Sequence, residues 1–505
     1  MILTPLSVKR GPSGALVYLQ PRRGPSGAST ALPFRVPGLL APGAWLITAE
    51  ELAEYRTRMV SGPYHTAGDV STNSPGDWTR IATDAAAFVT TPPAVFDPTF
   101  TGPWTPDTHG SSVEPPFTAR GDVPLTAFYA LVTEDTAARD AAWSWLVAQS
   151  LAPGTDFTNT TLYDSEALLS GPGVDGWFGF QVWLGHLTFA WEHLVHAGAG
   201  TQTERDSVLA WLLAGARWRA EPYDTRIGNA FWGSPGGDRA TLTPRTDDGS
   251  GIWPYFEEAE KTHSEGHITS AYARGYNNRG LVIMTTLGSI SVFADHQPGV
   301  DLARRYCEEW IQCVMYPDED FGEFHRSQSN SGAVGGELGY AYTSASVASI
   351  AEFAHTLWRW RGDPSLFDFT TRAGVHGTAC EVGDPDKGVL QAHLAMCKFE
   401  NDGFERYGNQ YTTGDPDHRI DGRTPRDGSA WRAHYTVYLT QSNRYYKDDA
   451  IKAAYTRDTT AGYPGYWPNP SNASGEFRGV HGSRLPGALF MYGQMEDVVP
   501  PGPMP

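Results

Sequence analysis

The sequence predicts a mostly α-helical fold, an (α/α) toroid in which antiparallel helix hairpins form an incomplete double ring with long loops. Three observations lead to this fold class. Apolar residues recur at helical spacing in one segment after another, and segments with the alternating pattern of a strand are few. Repeats of roughly 33 to 47 residues, which would indicate a regular solenoid, are not evident. Long loops on such a scaffold are expected to gather at one end, around a central cleft.

Residues 1–35 differ in composition from the rest and are predicted to form a short N-terminal arm. The sequence Arg-Gly-Pro-Ser-Gly-Ala occurs twice, at 10–15 and 23–28, on either side of the strand-like segment 16–19. Glycine and proline at this density prevent a packed helix. We predict an anchoring arm that would attach the chain to a larger particle, with a disordered tail as the equal alternative. Residues 36–505 are predicted to form one toroid domain.

The predicted helices follow one another along this domain. The first begins with a capping box, in which Thr48 and Glu51 bind each other's backbone amides, and Gly62-Pro63 ends it. Residues 63–123 are predicted as long loops with short helices, and residues 220–262 as a further loop. Other helical patterns cover residues 125–152, 177–199, 203–219, 278–295, 300–315, 342–361, 387–397, 427–442, 447–457 and 485–495.

The composition limits the classes of partner. A formal net charge of −19 argues against nucleic-acid binding, which needs clustered Lys and Arg, but it allows an anionic substrate in a local basic cleft. The 17 Trp residues favour a carbohydrate ligand, because aromatic faces stack on sugar rings, although any one Trp can equally fill a core. No stretch of 18 apolar residues predicts a membrane span, and no signal peptide is visible. An extracellular or virion-associated location is expected, with the cytoplasm as the alternative.

The four cysteines are too few for a disulfide scaffold, and their spacing matches no zinc pattern. We predict that Cys307 and Cys313 are buried thiols, and we consider one disulfide, between Cys380 and Cys397. No metal or other cofactor is expected.

Three short segments collect polar side chains near predicted helix starts. They are 276–280 (Tyr-Asn-Asn-Arg-Gly), 323–326 (Glu-Phe-His-Arg) and 340–342 (Tyr-Ala-Tyr). This set suits β-elimination on a uronic-acid polysaccharide, which requires a neutralised carboxylate, a base for the α-proton and an acid for the departing oxygen. Amide and guanidinium groups bind a carboxylate through several donors, and a phenol beside an arginine ionises more readily.

These segments resemble, in the same order, motifs of the alginate lyase family of polysaccharide lyases, which have an (α/α) toroid. Segment 276–280 resembles the family's Asn-Asn-His segment, and 323–326 its Glu-x-x-Arg segment. Segment 339–342, with the Ala/Ser-rich helix that follows, is similar to the catalytic Tyr and its helix. Residues 42–64 resemble the first helix of the wider lyase superfamily. The likeness spans roughly residues 40–360.

The resemblance implies a lyase acting on alginate or a related uronate glycan, with an acidic polysaccharide as its partner. Asn277 or Asn278 would neutralise the carboxylate, Arg326 would sit beside the catalytic phenol, and Tyr340 or Tyr342 would act as base, acid or both. The predicted catalytic residues are Asn277, Asn278, Arg279, Arg326, Tyr340, Tyr342 and His267. The predicted substrate-binding residues are His263, Trp232, Trp177 and Glu323.

The chain departs from the family pattern in two places. The family's His after the Asn pair is Arg279 here, and an arginine can neutralise a carboxylate but cannot act as a base. His263 and His267 are then the candidates for a missing imidazole. The second departure is an insertion, residues 327–337, which leaves open which Tyr is catalytic.

Other interpretations of these residues stay open. Asn277 and Asn278 can simply cap the helix that follows, and the two Tyr residues can be packing residues. One functional alternative is a glycoside hydrolase on a similar toroid. Its paired carboxylates would come from Glu257, Glu258, Asp402 and Glu405. The other alternative is an inactive glycan-binding or virion protein on the lyase scaffold.

Overall fold

The structure is a computed structural model. It describes residues 8–10, 16–18, 21–23, 29–31, 46–61, 77–95, 122–152, 174–231, 276–319, 321, 335–374, 378–402 and 437–453. These residues are mostly helical with almost no sheet, which confirms the mostly α prediction.

The helices of the described residues are α1 (Ala49–Ser61), α2 (Asp77–Thr90), α3 (Asp122–Thr133), α4 (Thr136–Ser150), α5 (Val174–His196), α6 (Gln202–Phe231), α7 (Asn278–Phe293), α8 (Gln297–Val314), α9 (Gly335–Arg361), α10 (Val389–Asp402) and α11 (Val437–Tyr446). Three pairs of helices, α3–α4, α5–α6 and α7–α8, form hairpins with short connections. The strands are β1 (Val8–Arg10), β2 (Leu16–Tyr18), β3 (Pro21–Arg23), β4 (Ser29–Ala31), β5 (Thr370–Thr371) and β6 (Lys387–Gly388). Each strand pairs antiparallel with one other, β1 with β2, β3 with β4 and β5 with β6.

The capping box at the start of α1 is confirmed. The backbone amide of Thr48 donates to Glu51 Oε2 at 2.8 Å, and the amide of Glu51 donates to Thr48 Oγ1 at 3.2 Å. The prediction of one helix over 125–152 is wrong, because the chain turns at Glu134, whose φ is +60°. Asp135 then caps α4 by accepting from the amides of the first turn.

The predicted loop over 220–262 is wrong at its start, because α6 continues to Phe231 and contains Pro222. The face that packs on the core continues through the buried Ala216, Ala220 and Ile227 and the partly buried Tyr223, which follow helical spacing past the proline. Packing of this face therefore outweighs the hydrogen bond that the proline removes.

The hairpins pack in two layers. The first layer is a row in which α3 contacts α5, α5 contacts α7, and α7 contacts α9. Helices α4, α6 and α8 form the second layer, against α3, α5 and α7 respectively. Every residue of α7 from Gly280 to Phe293 is buried, as expected of a helix with neighbours on all sides.

The helices α5, α7 and α9 run parallel. Between α5 and α7, Thr286 Oγ1 donates to the Gln181 carbonyl at 3.4 Å, and the rings of Trp191 and Phe293 are 5.9 Å apart. Between α7 and α9, the Phe353 ring lies against Gly288, and the Phe293 and Trp360 rings are 4.6 Å apart. In both helix pairs, a later residue of one helix contacts a later residue of the other, as expected for parallel helices. The three helices therefore begin at one end of the row and finish at the other.

A buried network of charges lies where these helices finish. Glu51 of α1 accepts from Arg359 of α9 at 2.5 Å and from Arg444 of α11. The Leu46 amide donates to Glu192 of α5 at 2.9 Å, and the Leu46 carbonyl accepts from Arg359. This network joins α1 to both α9 and α11, so distant parts of the chain are fixed together.

The β5–β6 ribbon is attached to the end of α8 by a buried lysine. Lys387 Nζ donates to the carbonyls of Gln312 at 2.8 Å, of Met315 at 3.1 Å and of Thr378. Burial lowers the pKa of Lys387 to about 8.

The cysteines are all free, so the disulfide considered between Cys380 and Cys397 is not formed. Cys397 is buried, whereas Cys380 is partly exposed and its thiol contacts the Pro385 carbonyl at 3.4 Å. The prediction of buried thiols at Cys307 and Cys313 is confirmed.

The strand-like segment in the N-terminal arm is confirmed as β2. It pairs with β1, and the second copy of the repeat lies between β3 and β4 in the same way. The arm therefore contains two successive β-hairpins.

Candidate functional site

Asn277 is the N-cap of α7. Its backbone is extended, with φ −99° and ψ 172°, and its Oδ1 accepts from the Gly280 amide at 3.0 Å. This is the structural role that the sequence left open for Asn277. Because Oδ1 is engaged in the cap, a contact between Asn277 and a carboxylate would use Nδ2, which is a donor. Capping and carboxylate binding are thus compatible in one side chain.

The residue before the cap fixes the start of α7. Tyr276 is fully buried, and its hydroxyl donates to Glu309 Oε2 of α8 at 2.7 Å. Its ring packs on Tyr306, with centroids 4.9 Å apart. The hydroxyls of Tyr306 and Tyr223 lie so close to Gly280 that a Cβ there would overlap them. The cap is therefore held against both α8 and α6.

The tyrosine hydroxyls behind the cap are unsuited to proton transfer with a ligand. Tyr306 is buried, and burial together with Tyr223 raises its pKa well above the ordinary value. A phenol that stays protonated at neutral pH supports the backbone but does not act as a base. The sequence analysis did not identify these supporting residues. The signal for them is the spacing of three residues between Tyr306 and Glu309, which places both on one face of α8.

The exposed part of the segment carries positive charge. Arg279 and Asn277 are partly exposed, whereas Asn278 is buried at 2% exposure. The guanidinium of Arg279 lies in the first turn of α7, where the helix dipole is also positive. Arg279 and Asn277 are therefore better placed than Asn278 to meet an anionic group from solvent.

The two candidate tyrosines lie near the start of α9. The contacts of Gly288 and Phe293 show that α9 residues lie level with α7 residues about 65 positions earlier in the chain. Tyr340 and Tyr342 are thus level with the start of α7, on a neighbouring helix. Packed helix axes are about 8–10 Å apart, which is within the reach of one sugar unit and two side chains.

Trp177 lies in the first turn of α5, at the same end of the row as these residues. Three helix starts therefore share one end, and each carries a residue that the sequence singled out. The remaining candidates lie outside the described residues. They are Glu323, Arg326, His263, His267 and Trp232.

A cavity of about 360 Å³ lies at the other end of the row. It is lined by residues of α1, the end of α3, the start of α4 and the end of α5, including Arg56, Glu134 and His196. Arg56 is paired with Glu134 at 2.6 Å, and burial lowers the pKa of His196. None of the predicted site residues lines this cavity.

Among the residues that the structure describes, no group of three or more His, Cys, Asp and Glu side chains could hold a metal ion. In the same residues, no helix is both long enough and apolar enough to cross a membrane. Comparisons of the chain with family models, curated proteins and solved structures returned no match.

Proposed function

We propose that this protein is a polysaccharide lyase that cleaves a uronic-acid-containing glycan, alginate or a relative, by β-elimination. Asn277 and Arg279 neutralise the substrate carboxylate, which makes the neighbouring proton acidic enough to remove. Tyr340 or Tyr342 takes that proton and protonates the departing glycosidic oxygen. Trp177 and Trp232 provide faces for sugar rings.

The fold that goes with this proposal is an (α/α) toroid. The two-layered row of hairpins supports it, because in such a toroid the first helices of the hairpins run parallel and line the interior. The Glu51 network also supports it, since it joins α1 to both α9 and α11, as contacts between early and late helices of a ring would.

One observation carries the proposal, the shared end at which α5, α7 and α9 begin. The ordered motifs of the sequence lie in different helices, and β-elimination needs their side chains within reach of one sugar. This requirement is supported by the parallel packing of α7 and α9, which brings positions 276–280 and 340–342 to one level on neighbouring helices. Antiparallel neighbours would have separated the two segments by the length of a helix.

Arginine at position 279 limits the mechanism. A guanidinium stays protonated at ordinary pH, so it contributes charge neutralisation and not proton abstraction. The base is then a phenol, whose pKa a neighbouring guanidinium lowers. Arg326 provides that guanidinium in this proposal, and His263 and His267 are the imidazoles for a substrate whose geometry requires one.

The test is the ultraviolet absorbance of the unsaturated uronate product, with the full chain on alginate, polygalacturonate and other acidic polysaccharides. Tyr340→Phe and Tyr342→Phe remove the two candidate phenols one at a time. Loss of the catalytic phenol should lower kcat about 10²-fold or more. Tyr129→Phe is the matched control, because Tyr129 lies in α3 and stacks on Trp78.

The products also separate the alternatives. New reducing ends without the double bond would indicate hydrolysis and contradict the lyase proposal. Binding without any product would favour a glycan-binding protein, and attachment to a larger particle through residues 1–35 would then be tested first. A location outside the cell or on a virion remains the expectation that goes with an external polysaccharide.

A further inference from the structure

The two hairpins of the N-terminal arm are copies of one unit. Strand β1 pairs with β2 from Val8↔Tyr18 to Arg10↔Leu16, and β3 pairs with β4 from Pro21↔Ala31 to Arg23↔Ser29. In each hairpin the same five residues, Gly-Pro-Ser-Gly-Ala, connect the strands. The repeat noted in the sequence is therefore the repeat of a structural unit with one register.

The equivalence extends to the charges. Lys9-Arg10 end the first strand of one hairpin, and Arg22-Arg23 end the first strand of the other. Both cation pairs directly precede the Gly-Pro-Ser-Gly-Ala connection and occupy the same register positions. A chain that only needed two hairpins would not have to repeat a pair of positive charges at the same place.

The arm has the opposite charge to the rest of the chain. The first 49 residues contain five basic residues, Lys9, Arg10, Arg22, Arg23 and Arg35, and no acidic one. All 57 acidic residues therefore lie in the remainder, together with the other 33 of the 38 basic ones. That remainder repels a polyanion at long range, so a polyanionic substrate needs a local basic element to approach it.

We propose that residues 8–31 are a binding element for an anionic polysaccharide, in which each hairpin contributes one cation pair. The choice of a polysaccharide rests on the proposed function, since such a chain is then the polymer that the rest of the protein acts on. Two linked units of weak affinity bind one polymer much more tightly than either alone, because the second contact is intramolecular. The element retains the polymer near the chain and takes no part in bond cleavage.

The experiment compares three forms of the full chain. The first is the wild type, and the second carries Lys9→Gln, Arg10→Gln, Arg22→Gln and Arg23→Gln. The third is the matched control, Lys9→Arg with Arg10→Lys, Arg22→Lys and Arg23→Lys, which keeps every charge. Affinity electrophoresis measures binding to alginate, polygalacturonate, neutral dextran and duplex DNA, at about 20 mM and about 200 mM NaCl.

The wild type and the charge-preserving control should bind the two acidic polysaccharides and not dextran, and the added salt should weaken that binding. The glutamine variant should bind them at least about tenfold more weakly, because four positive charges are lost together. Equal affinity of the glutamine variant and the wild type would overturn the proposal. So would binding to dextran as strong as binding to alginate, or a clear preference for DNA.

The arm could instead bind the acidic remainder of a second copy of the chain, and this self-association would give a different result. Light scattering would then show a wild-type oligomer that the glutamine variant lacks, with unchanged affinity for polysaccharide, and the proposal would be wrong. The proposed function fails in a different way. Arm-dependent binding without any unsaturated product would uphold the binding element and reject the lyase.

Discussion

Replacing Glu51 by Gln should destabilise the whole fold. Glu51 is 4% exposed, and its carboxylate accepts three hydrogen bonds, from the Thr48 amide at 2.8 Å, from Arg359 at 2.5 Å and from Arg444. Both guanidinium groups are themselves buried, at 3% and 1% exposure. Glutamine has almost the same shape, so the change removes the charge and one acceptor while leaving the packing intact.

The magnitude follows from what remains after the change. Two buried guanidinium groups lose their countercharge, and the new amide NH₂ group faces a donor. Removing one partner of a buried ion pair costs about 3–5 kcal/mol, and the remaining amide oxygen recovers part of this. We expect a loss of about 3 kcal/mol, which is a large fraction of the stability of a typical domain. The loss should extend to α9 and α11, because both are bound through Glu51.

The assay is urea unfolding followed by tryptophan fluorescence and by far-ultraviolet circular dichroism. Glu50→Gln is the control, because it removes the same charge from the neighbouring exposed position of the same helix turn. It should change the free energy of unfolding by less than about 0.5 kcal/mol. If the two variants had equal midpoints and slopes, the network would not hold α1 to α9 and α11, and the reasoning would be refuted.

Three further predictions concern single sites. Asn277→Ala should lower the free energy of unfolding by about 1 kcal/mol, because the helix cap is lost. Asn277→Ser should keep that free energy, because serine also caps helices, but it should lower lyase activity, because the Nδ2 donor to the substrate is lost. Gly280→Ala should cost about 1–3 kcal/mol by overlap with two hydroxyls, and adding Tyr306→Phe should recover part of it; an unchanged unfolding midpoint would contradict this. Lys387 has a folded pKa of about 8, below its unfolded value of about 10.5. Between these two pH values the unfolded state binds more protons than the folded state, so the free energy of unfolding rises with pH there. Relative to Lys387→Met, the wild type should gain about 2 kcal/mol between pH 7 and 10 in urea unfolding; a constant difference would mean that the three carbonyls offset the burial.

Local signals in the sequence predicted several elements correctly. The capping box of Thr48 and Glu51 needs only residues three apart, and both of its hydrogen bonds form. The helical patterns predicted over 278–295 and 300–315 match α7 and α8 to within a few residues at each end. The turn at Glu134 was missed because apolar spacing continues across it, and the left-handed backbone that breaks the helix leaves no comparable pattern.

For the candidate site, too, the sequence predicted some features and missed others. Asn277 was recognisable as a cap, because Asn before an apolar helix is a local signal. The support behind it was not, since Tyr276 precedes α7, Glu309 lies in α8, and nothing within either segment specifies the partner. The second role of Glu51 was hidden for the same reason, because Arg359 and Arg444 are hundreds of residues away.

The sequence by itself determined that this chain is mostly helical, where its principal helices lie and which side chains have the chemistry to bind a carboxylate and move a proton. These properties depend on periodicity, capping and functional groups within a few residues of one another. Only the tertiary structure decided that α5, α7 and α9 run parallel, and hence that their first turns share one end. The direction in which one helix packs on another depends on shape and burial across the whole row, and short-range sequence does not contain that information.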